Sequence, residues 1–349
     1  MDDITERYER QIKFDQIGIE GQKKLAETSV LCIGCGGLGS SCILYLAGCG
    51  IGKLTVIDND IVELSNLHRQ LAHTEEGAKN KLPKAISMKN RIESINSNCQ
   101  VTAIVDYFST KNAIQLVSSH DIIIDCCDNI PTRYVINDAC ILCNKPFISA
   151  ATQRWSGQLT IYGYKNGPCF RCLNPNPPPL PDVTKYGTKL PVIPPLPGMM
   201  GCYEALEAIK LILNIGIPLS SQMFFFDGET NLIRIMKLRS KQDSCVCCNK
   251  EKEWNIEKCH HFIQQNYNRD MGFQSLKMDR SIVIVANFYT NSMLCLVKYI
   301  VYIDIIMGHD HVAKGAHGKK LDGAEATKEV KPEEHAADAK EEKHGHKKH

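Results

Sequence analysis

The sequence has almost no excess of charge of either sign. Its 349 residues carry 41 Lys and Arg against 39 Asp and Glu, so the formal net charge is only +2. A protein whose main task is to neutralise a nucleic-acid backbone carries a large excess of cations. The near-balance therefore excludes that task, and we expect no direct nucleic-acid partner.

A secretory signal is also lacking. The chain opens with the polar residues MDDITER, where a signal would have basic residues and then an apolar run. We therefore expect a cytoplasmic protein whose 17 cysteines are reduced. Those cysteines are then core residues, metal ligands or reactive thiols.

The chain shows no convincing membrane span. The best candidate is residues 281–307, but a spanning helix needs about 20 largely apolar residues. This stretch is interrupted by Asn287, Asn291, Lys298 and Asp304. A membrane role is therefore not expected, and residues 251–307 are interpreted as a C-terminal extension of unknown fold.

Two further segments differ from the rest in composition. Residues 308–349 contain no aromatic residue and nine acidic against nine basic residues, which predicts a disordered charged tail. Residues 174–197 hold most of the 15 prolines. Because proline removes a backbone donor and fixes φ, no helix or central strand is expected there. We interpret this segment as an extended crossover, and long loops of this kind are often functional.

The order of predicted elements indicates the fold class. Strand-like apolar runs alternate with helical patterns from about residue 7 to residue 238. The predicted strands cover 29–34, 53–58, 101–108, 121–125, 146–150 and 158–164, with a final hairpin at 223–226 and 231–238 and helices at 39–46, 84–95 and 200–213. This pattern predicts an α/β protein with a Rossmann-like, mostly parallel sheet, helices on both faces and an antiparallel continuation.

A glycine-rich turn follows the first predicted strand. The sequence GCGGLG directly precedes a predicted helix and contributes Gly34, Gly36, Gly37 and Gly39. Glycine lets the backbone approach a phosphate, and the helix N-terminus offers free N–H groups. Asp58 and Asp60 stand about 20 residues on, at the end of the second strand, where an acid accepts hydrogen bonds from ribose. The pattern predicts a nucleotide site.

A dense set of cations, amides and acids follows this turn. It comprises Asn66, Arg69, Lys84, Asp128, Asn129 and Arg133. Asp128 lies just beyond the fourth predicted strand, at the edge where such sheets bind ligands. Carboxylates can hold Mg²⁺ while guanidinium and ammonium groups offset the charge of a leaving pyrophosphate. The set favours ATP chemistry over a nicotinamide-dependent oxidoreductase, which is the alternative use of such a turn.

Two CxxC pairs lie far apart in the chain. They are Cys169 with Cys172, and Cys245 with Cys248. Four thiolates suit a closed tetrahedral Zn²⁺ site, which is structural and implies no catalysis. Cys247 is an alternative ligand, but only the 245/248 pair has two residues between its cysteines.

These motifs together resemble the adenylyltransferases that activate ubiquitin-like sulfur-carrier proteins. The molybdopterin-synthase and thiamine carrier activators are similar, as is the activator of the ubiquitin-related modifier. The likeness runs from residue 7 to residue 248 and combines RYxRQ, GxGGLG, DxD, NLxRQ, a downstream lysine, DxxDN and two CxxC pairs. It implies that residues 1–250 form one adenylyltransferase domain.

The resemblance also implies roles for these residues. Asp58 would hold the ribose, and Asp128 would bind Mg²⁺. Asn66, Arg69 and Lys84 would contact the triphosphate. The implied reaction is attack of a carrier's C-terminal glycine carboxylate on the α-phosphate of ATP, which gives an acyl-adenylate and pyrophosphate.

The resemblance further implies a homodimer and a separate sulfur donor. Arg10 in such proteins reaches the ATP site of the partner subunit. Many members carry a reactive cysteine before the helix at 200–213, but residues 185–194 contain none. Cys202 lies inside that helix and is interpreted as a packing residue. Residues 251–307 are too short for the rhodanese-type domain of some eukaryotic relatives, so another protein is expected to supply sulfur.

The sequence thus predicts ATP-dependent adenylation of a ubiquitin-like carrier that ends in Gly-Gly. The pathway is left open between molybdenum cofactor synthesis, thiamine synthesis and tRNA thiolation, and the proline-rich crossover is a candidate lid over the carrier's tail. Besides the oxidoreductase, the alternatives are a non-catalytic partner subunit and a related ligase that activates a non-protein substrate. The retained ATP-site residues argue against the former, and the CxxC pairs argue against the latter.

Overall fold

An eight-stranded sheet forms the centre of the structure, a computed structural model that describes residues 3–178 and 191–267. The strands are β1 (Ser29–Ile33), β2 (Lys53–Ile57), β3 (Gln100–Ile104), β4 (Ile122–Asp125), β5 (Phe147–Gln153), β6 (Ser156–Tyr162), β7 (Gln222–Asp227) and β8 (Leu232–Lys237). The helices are α1 (Asp3–Arg7), α2 (Glu9–Ile12), α3 (Gly18–Glu27), α4 (Gly37–Cys49), α5 (Glu75–Lys79), α6 (Lys84–Ile95), α7 (Ala113–Ser118), α8 (Ile130–Leu142), α9 (Phe170–Leu173), α10 (Pro195–Leu213) and α11 (Ile256–Tyr267). Single turns of 3₁₀-helix cover Leu64–Asn66 and Lys250–Lys252.

The strand order confirms the predicted fold class. The order is β3-β2-β1-β4-β5-β6-β7-β8, with parallel pairing from β3 to β5 and antiparallel pairing from β5 to β8. The chain moves outward from β1 to β3 and then returns to β4 on the other side of β1. The carboxyl ends of β1, β2 and β4 therefore meet at one edge, with the reversal of strand order between β1 and β4. Ligands of open α/β sheets bind at this point.

The central strands are apolar because both of their faces are covered. Along β1, Val30 and Cys32 join one core cluster while Leu31 and Ile33 join another. Residues of α4, α6 and α10 pack in the first cluster, and residues of α7, α8 and α11 pack in the second. Strand residues that alternate between two buried faces explain the near-continuous apolar runs of the sequence.

The helix after the proline-rich segment begins at Pro195, before the predicted start at residue 200. The prediction that no helix runs within 174–197 is therefore wrong at its end. Pro195 and Pro197 stand in the first turn, where backbone N–H groups have no partner within the helix, so proline costs no hydrogen bond there. The helix then packs closely on α4, because a Cβ at Gly201 would collide with the carbonyl oxygen of Leu38.

The first part of the predicted C-terminal extension packs onto the sheet domain. Cys259, Ile263 and Tyr267 of α11 are buried in the same core cluster as Tyr134 of α8. The rest of that extension, the charged tail at 308–349 and the middle of the proline-rich segment (179–190) lie outside the described residues. Within the described ranges, no helix has the length and apolar character that crossing a membrane requires.

A buried ion pair anchors α11. Arg171 donates to both carboxylate oxygens of Asp138, at 2.7 and 2.8 Å, and its guanidinium lies 4.0 Å from the ring centroid of Phe262. The indole Nε1 of Trp254 donates to Asp138 at 2.9 Å. Both charges are thereby paired and hydrogen-bonded, which is the condition under which charged groups stay buried.

Candidate functional site

The glycine turn after β1 requires glycine at two of its four positions. Gly34 has φ of +102°, and a Cβ there would lie 2.7 Å from the carbonyl oxygen of Cys126. A Cβ at Gly39 would collide with the carbonyl oxygen of Gly34. Gly36 and Gly37 have more room. The turn therefore brings the backbone against the loop that follows β4 at the switch point.

The turn leaves backbone donors free at the start of α4. Gly36 is the N-cap residue and gives no side-chain cap. Across the described part of the chain, the N–H groups of Gly36, Gly37 and Leu38 have no hydrogen-bond partner. Three free N–H groups at a helix N-terminus form a site for an anion such as a phosphate.

A second helix N-terminus lies beside this one and is rich in proline. α10 runs parallel to α4, and a Cβ at Gly37 would lie 3.0 Å from Cβ of Pro197. Pro194, Pro195 and Pro197 have no N–H, and the N–H of Leu196 donates to Ile193. Most donors for a phosphate therefore come from α4, while the prolines of α10 form an apolar wall beside them.

The close approach at Gly39 gives a testable contrast with Gly48, which lies in the same helix. We expect Gly39→Ala to destabilise the protein by about 2 kcal/mol or more, because the backbone has to move. Gly48 is exposed and has nothing within 4 Å of a Cβ, so Gly48→Ala is expected to stabilise by about 0.5–1 kcal/mol. Denaturant unfolding of both variants measures the difference. Equal stabilities would contradict the turn geometry described here.

The segment from Asn66 to His73 lies along the glycine turn. His73 Nε2 donates to the carbonyl oxygen of Cys35 at 2.8 Å, and Arg69 packs against Gly37. Arg69 also donates to the side-chain oxygen of Asn66 at 3.0 Å. The predicted triphosphate residues Asn66 and Arg69 are thus brought to the turn. His73 was not predicted, since a single histidine in a mixed polar segment carries no signal of such a contact.

Asp58 also contacts the backbone of Cys35. Its carboxylate accepts hydrogen bonds from the N–H of Cys35 at 2.7 Å and from the N–H of Asp60 at 2.8 Å. Burial raises the pKa of Asp58, which the charge of Lys84 and the two N–H donors oppose. A carboxylate can accept about four hydrogen bonds, so Asp58 retains capacity for a further donor such as a ribose hydroxyl.

Lys84 brings a buried cation to the same edge. Its Nζ lies 2.9 Å from Asp60 Oδ2, and its side chain is 6% exposed while that of Asp60 is 60% exposed. Burial lowers the pKa of Lys84, but the charges of Asp58, Asp60 and Asp128 outweigh burial and raise it overall. Lys84 is therefore charged at neutral pH and lies within electrostatic reach of all three acids.

Asp128 lies in the loop between β4 and α8. It is exposed to solvent, yet the protein atoms around it and the nearby charge of Asp60 raise its pKa. Asn129, the next residue, caps α8 by accepting from the N–H of Thr132 at 3.0 Å. The structure therefore brings Asp128 near Asp60 and Lys84. Asn129, which was predicted to bind nucleotide, also caps α8.

Two side chains, from α8 and α10, fix this loop. Arg133 donates to Asp125 at 2.6 Å and to the carbonyl oxygens of Cys127 and Ala150 at 3.2 and 3.1 Å. Arg133 is thus paired with Asp125. Glu204 of α10 accepts from the Cys126 thiol at 3.4 Å and from the N–H of Ala150 at 3.0 Å.

Arg10 lies away from this edge. The side-chain amide of Gln11 donates to the carbonyl oxygen of Cys49, and Tyr8 packs against Gly50, so α2 adjoins the C-terminal end of α4. The glycine turn is at the other end of this 13-residue helix, about 20 Å away. Arg10 cannot reach the site of its own chain, and a role for it there requires a second copy.

The four CxxC cysteines form one cluster. Sγ of Cys169 lies 3.8 Å from Cys172 and 3.7 Å from Cys245, and Sγ of Cys172 lies 3.7 Å from Cys248. Zn–S bonds of about 2.3 Å in a tetrahedron separate the sulfurs by about 3.8 Å. The cluster therefore fits Zn²⁺ closely.

The other cysteines are not arranged for reaction. Cys247 is buried and accepts from the Asn137 amide at 3.7 Å, and it is not one of the four clustered thiols. Cys202 is half-buried in α10, and burial raises its pKa. Burial also raises the pKa of Cys35 in the glycine turn. A raised pKa disfavours the thiolate, so these thiols are poor nucleophiles.

The sheet, the free N–H groups at the switch point and the surrounding cations and acids define a nucleotide-binding domain of the Rossmann type. The ThiF family model matches residues 8–247, and this chain belongs to the ThiF family.

Two relatives align with more than two thirds of this chain. One is "Adenylyltransferase and sulfurtransferase MOCS3" of Danio rerio, which is 47% identical over 251 residues, or 71% of this chain and 53% of that protein. The protein of the same name from Dictyostelium discoideum is 39% identical over 291 residues, or 82% of this chain and 68% of that protein. The chain thus spans about half the length of the Danio relative.

Solved structures share the fold. The crystal structure of E. coli MccB with ATP superimposes with a TM-score of 0.61 at 23% identity, over 70% of this chain and 74% of MccB. MccB in complex with N-formylated MccA gives a TM-score of 0.62 at 22% identity, over 70% and 75% of the two chains. At this identity the likeness concerns the fold alone.

Proposed function

We propose that this protein is an adenylyltransferase that activates the C-terminal glycine of a ubiquitin-like sulfur-carrier protein. The proposal rests on two observations: Arg69 packs against Gly37 in the glycine turn, and Lys84 lies within electrostatic reach of Asp58, Asp60 and Asp128 at the same edge of the sheet. The names of the relatives support adenylyl transfer. Pathways of molybdenum cofactor synthesis or tRNA thiolation are the proposed context.

The side chains at the edge of the sheet suit binding of ATP with Mg²⁺. The N–H groups of Gly36, Gly37 and Leu38 would receive phosphate oxygens, and Asp58 would accept from the ribose. Asp128 would hold Mg²⁺ together with phosphate oxygens, because carboxylates and phosphates are its preferred ligands. The metal, when bound, offsets charge on the pyrophosphate.

Adenylation needs positioning and charge neutralisation more than proton transfer. The carrier's terminal carboxylate is already ionised at neutral pH, so it attacks without a general base. A carboxylate oxygen bonds to the α-phosphorus while the bond from that phosphorus to the bridging oxygen of pyrophosphate breaks. Arg69 and Lys84 stabilise the negative charge on the phosphates as this bond breaks.

We propose structural Zn²⁺ at the four-cysteine cluster. Cys169 and Cys172 flank α9, whereas Cys245 and Cys248 follow β8, so the metal would join two distant segments. Tetrahedral coordination by four thiolates leaves no open position, and the role is structural.

We also propose a reducing, cytoplasmic location and a separate protein that donates sulfur. The 16 cysteines within the described residues are all unpaired. Outside the four-cysteine cluster, every one of these thiols is buried or half-buried, and burial raises the pKa of Cys202. This supports a separate protein as the source of sulfur. The carrier's tail is proposed to pass under the proline-rich crossover, and deletion of that crossover without loss of adenylation would contradict this part.

Subunit mixing tests the homodimer. Arg10→Ala and Asp128→Asn chains are each expected to be inactive as homodimers. A mixture should regain part of the activity, because a mixed dimer has one site with Asp128 from one chain and Arg10 from the other. Pyrophosphate exchange measured before and after mixing shows the gain. Activity of Arg10→Ala alone, or no gain on mixing, would contradict the shared site.

The adenylation proposal itself is tested by pyrophosphate exchange with candidate carriers. Exchange into ATP should depend on a carrier with an intact Gly-Gly end and should be lost when the last glycine is deleted. Exchange without any carrier, or with the truncated carrier at the same rate, would indicate a different substrate.

A further inference from the structure

The C-terminal end of α4 is capped by side chains from outside the helix. The last carbonyl groups of a helix lack partners within it, so other donors have to satisfy them. Asn96 donates to the carbonyl oxygen of Ala47 at 2.7 Å. Gln11 and Gln22 both donate to the carbonyl oxygen of Cys49 at 3.0 Å. The N-terminal segment of the chain thus completes one end of the helix whose other end forms the glycine turn.

The capping side chains form one network with Tyr8. Gln11 Nε2 donates to Gln22 Oε1 at 2.8 Å, and Asn96 Nδ2 donates to the hydroxyl of Tyr8 at 2.7 Å. Tyr8, Gln22 and Asn96 are each 6% exposed or less. Hydrogen bonds among buried polar groups rigidify the elements that carry them. The network therefore fixes α2 against the end of α4.

Gly50 leaves room for this network. It follows α4 with φ of +91°, and a Cβ there would lie 2.5 Å from Gln22 Nε2 and 2.7 Å from Tyr8 Cζ. Both the backbone conformation and the lack of space therefore require glycine at this position. The close fit gives α2 little freedom to shift along the end of α4.

Arg10 lies between two anchored residues of this network. Tyr8 is the N-cap residue of α2, and its carbonyl oxygen accepts from the N–H groups of Gln11 and Ile12 at 2.9 Å. Arg10 itself is exposed, and its side chain makes no hydrogen bond or ion pair within residues 3–178 and 191–267. The backbone that carries Arg10 is thus fixed, while its guanidinium remains free for a group outside the chain.

We propose that Tyr8, Gln11 and Gln22 are positioning residues that aim Arg10 at the ATP site of a second copy of the chain. This inference rests on the proposed function, in which Arg10 completes the site of the other subunit. Position matters there, because a displacement of about 1 Å can slow a reaction about a hundredfold. Helix α4 then serves two sites: its N-terminal end binds phosphate in its own chain, and its C-terminal end anchors the Arg10 that acts in the other.

Mixed dimers in which only one site can work test this inference. One chain carries Asp128→Asn and supplies Arg10, and the other carries Arg10→Ala and supplies Asp128. Gln11→Met removes both amide hydrogen bonds at a similar side-chain length. The loss of pyrophosphate exchange should be about tenfold greater with Gln11→Met in the chain that supplies Arg10 than with the same substitution in the other chain.

The two arrangements contain the same substitutions per dimer, so a loss of stability or of dimer formation affects them equally. Their difference therefore isolates the effect on Arg10. Tyr8→Phe is the second variant, because it removes only a hydroxyl and should fold even if Gln11→Met does not. It should show the same asymmetry between the two chains. Gln16→Met, at an exposed residue between α2 and α3, is the matched control and should show none.

Two outcomes would overturn the inference. Equal losses in the two arrangements would assign the network to folding or to dimer formation. Full exchange with Gln11→Met and with Tyr8→Phe in the chain that supplies Arg10 would show that Arg10 acts without this anchor. Full exchange by Arg10→Ala homodimers would instead contradict the shared site of the proposed function, and that result is obtained without any substitution in the network.

Discussion

Asp128→Asn is expected to lower ATP–pyrophosphate exchange by about a hundredfold or more. The substitution keeps the size of the side chain but removes the negative charge that would hold Mg²⁺. Asp128 stands in a loop whose preceding residue, Cys127, is hydrogen-bonded to Asp125 and Arg133, so the loop should keep its shape. The loss should therefore be chemical, and the unfolding temperature should change little.

Glu93→Gln is the matched control for this variant. Glu93 is exposed on α6, where its carboxylate lies 3.7 Å from Lys89 in a surface ion pair of small energetic value. Neutralising it should leave pyrophosphate exchange unchanged. If Asp128→Asn retains exchange as Glu93→Gln does, Asp128 is not the magnesium ligand.

Cys172→Ser is expected to abolish zinc binding and to lower the unfolding temperature by about 10 °C or more. Structural Zn²⁺ contributes to folding through the metal–thiolate bonds, and serine is a poor ligand for this metal. Cys172 contacts both CxxC pairs, since its sulfur lies 3.8 Å from Cys169 and 3.7 Å from Cys248. Metal analysis and thermal unfolding measure the two effects.

Cys247→Ser tests whether Cys247 is a zinc ligand. Cys247 is buried beside the cluster but is not one of the four close thiols. The variant should retain one zinc per chain. Loss of zinc from Cys247→Ser with retention in Cys248→Ser would contradict the assignment of ligands.

The sheet was predictable from the sequence because its strands are apolar on both faces. The alternation of runs such as residues 29–34 and 53–58 with helical patterns is enough to predict parallel strands and two covered faces. The boundaries were less accurate. The start of α10 was predicted too far along the chain because of Pro195 and Pro197. Proline is tolerated in the first turn of a helix but breaks a helix beyond that turn, and the sequence alone does not tell which case applies.

The glycine turn and the acids after β2 and β4 were predictable because the topology fixes where strand ends meet. Asp58 and Asp128 follow strands whose carboxyl ends lie at the same edge. The contacts that support them were not predictable. His73, Arg133 and Glu204 act through three-dimensional neighbours, and nothing in their local sequence tells which carbonyl, carboxylate or thiol each one meets.

The distance of Arg10 from the candidate ATP site could not be predicted from the sequence alone. The sequence places RYxRQ near the start of the chain, and only the resemblance implied that it serves another subunit. The structure adds a physical reason, because α2 adjoins the C-terminal end of α4 and the glycine turn begins at the other end.

The most direct test of the central claim follows the α-phosphorus of ATP. The protein, Mg²⁺ and a carrier ending in Gly-Gly are mixed with ATP labelled at the α-phosphorus or at the γ-phosphorus. We predict that the α label enters the carrier and is released by hydroxylamine, while the γ label appears only in pyrophosphate. Transfer of the γ label to the carrier, or no label in any carrier although ATP binds, would contradict adenylation of a carrier carboxylate.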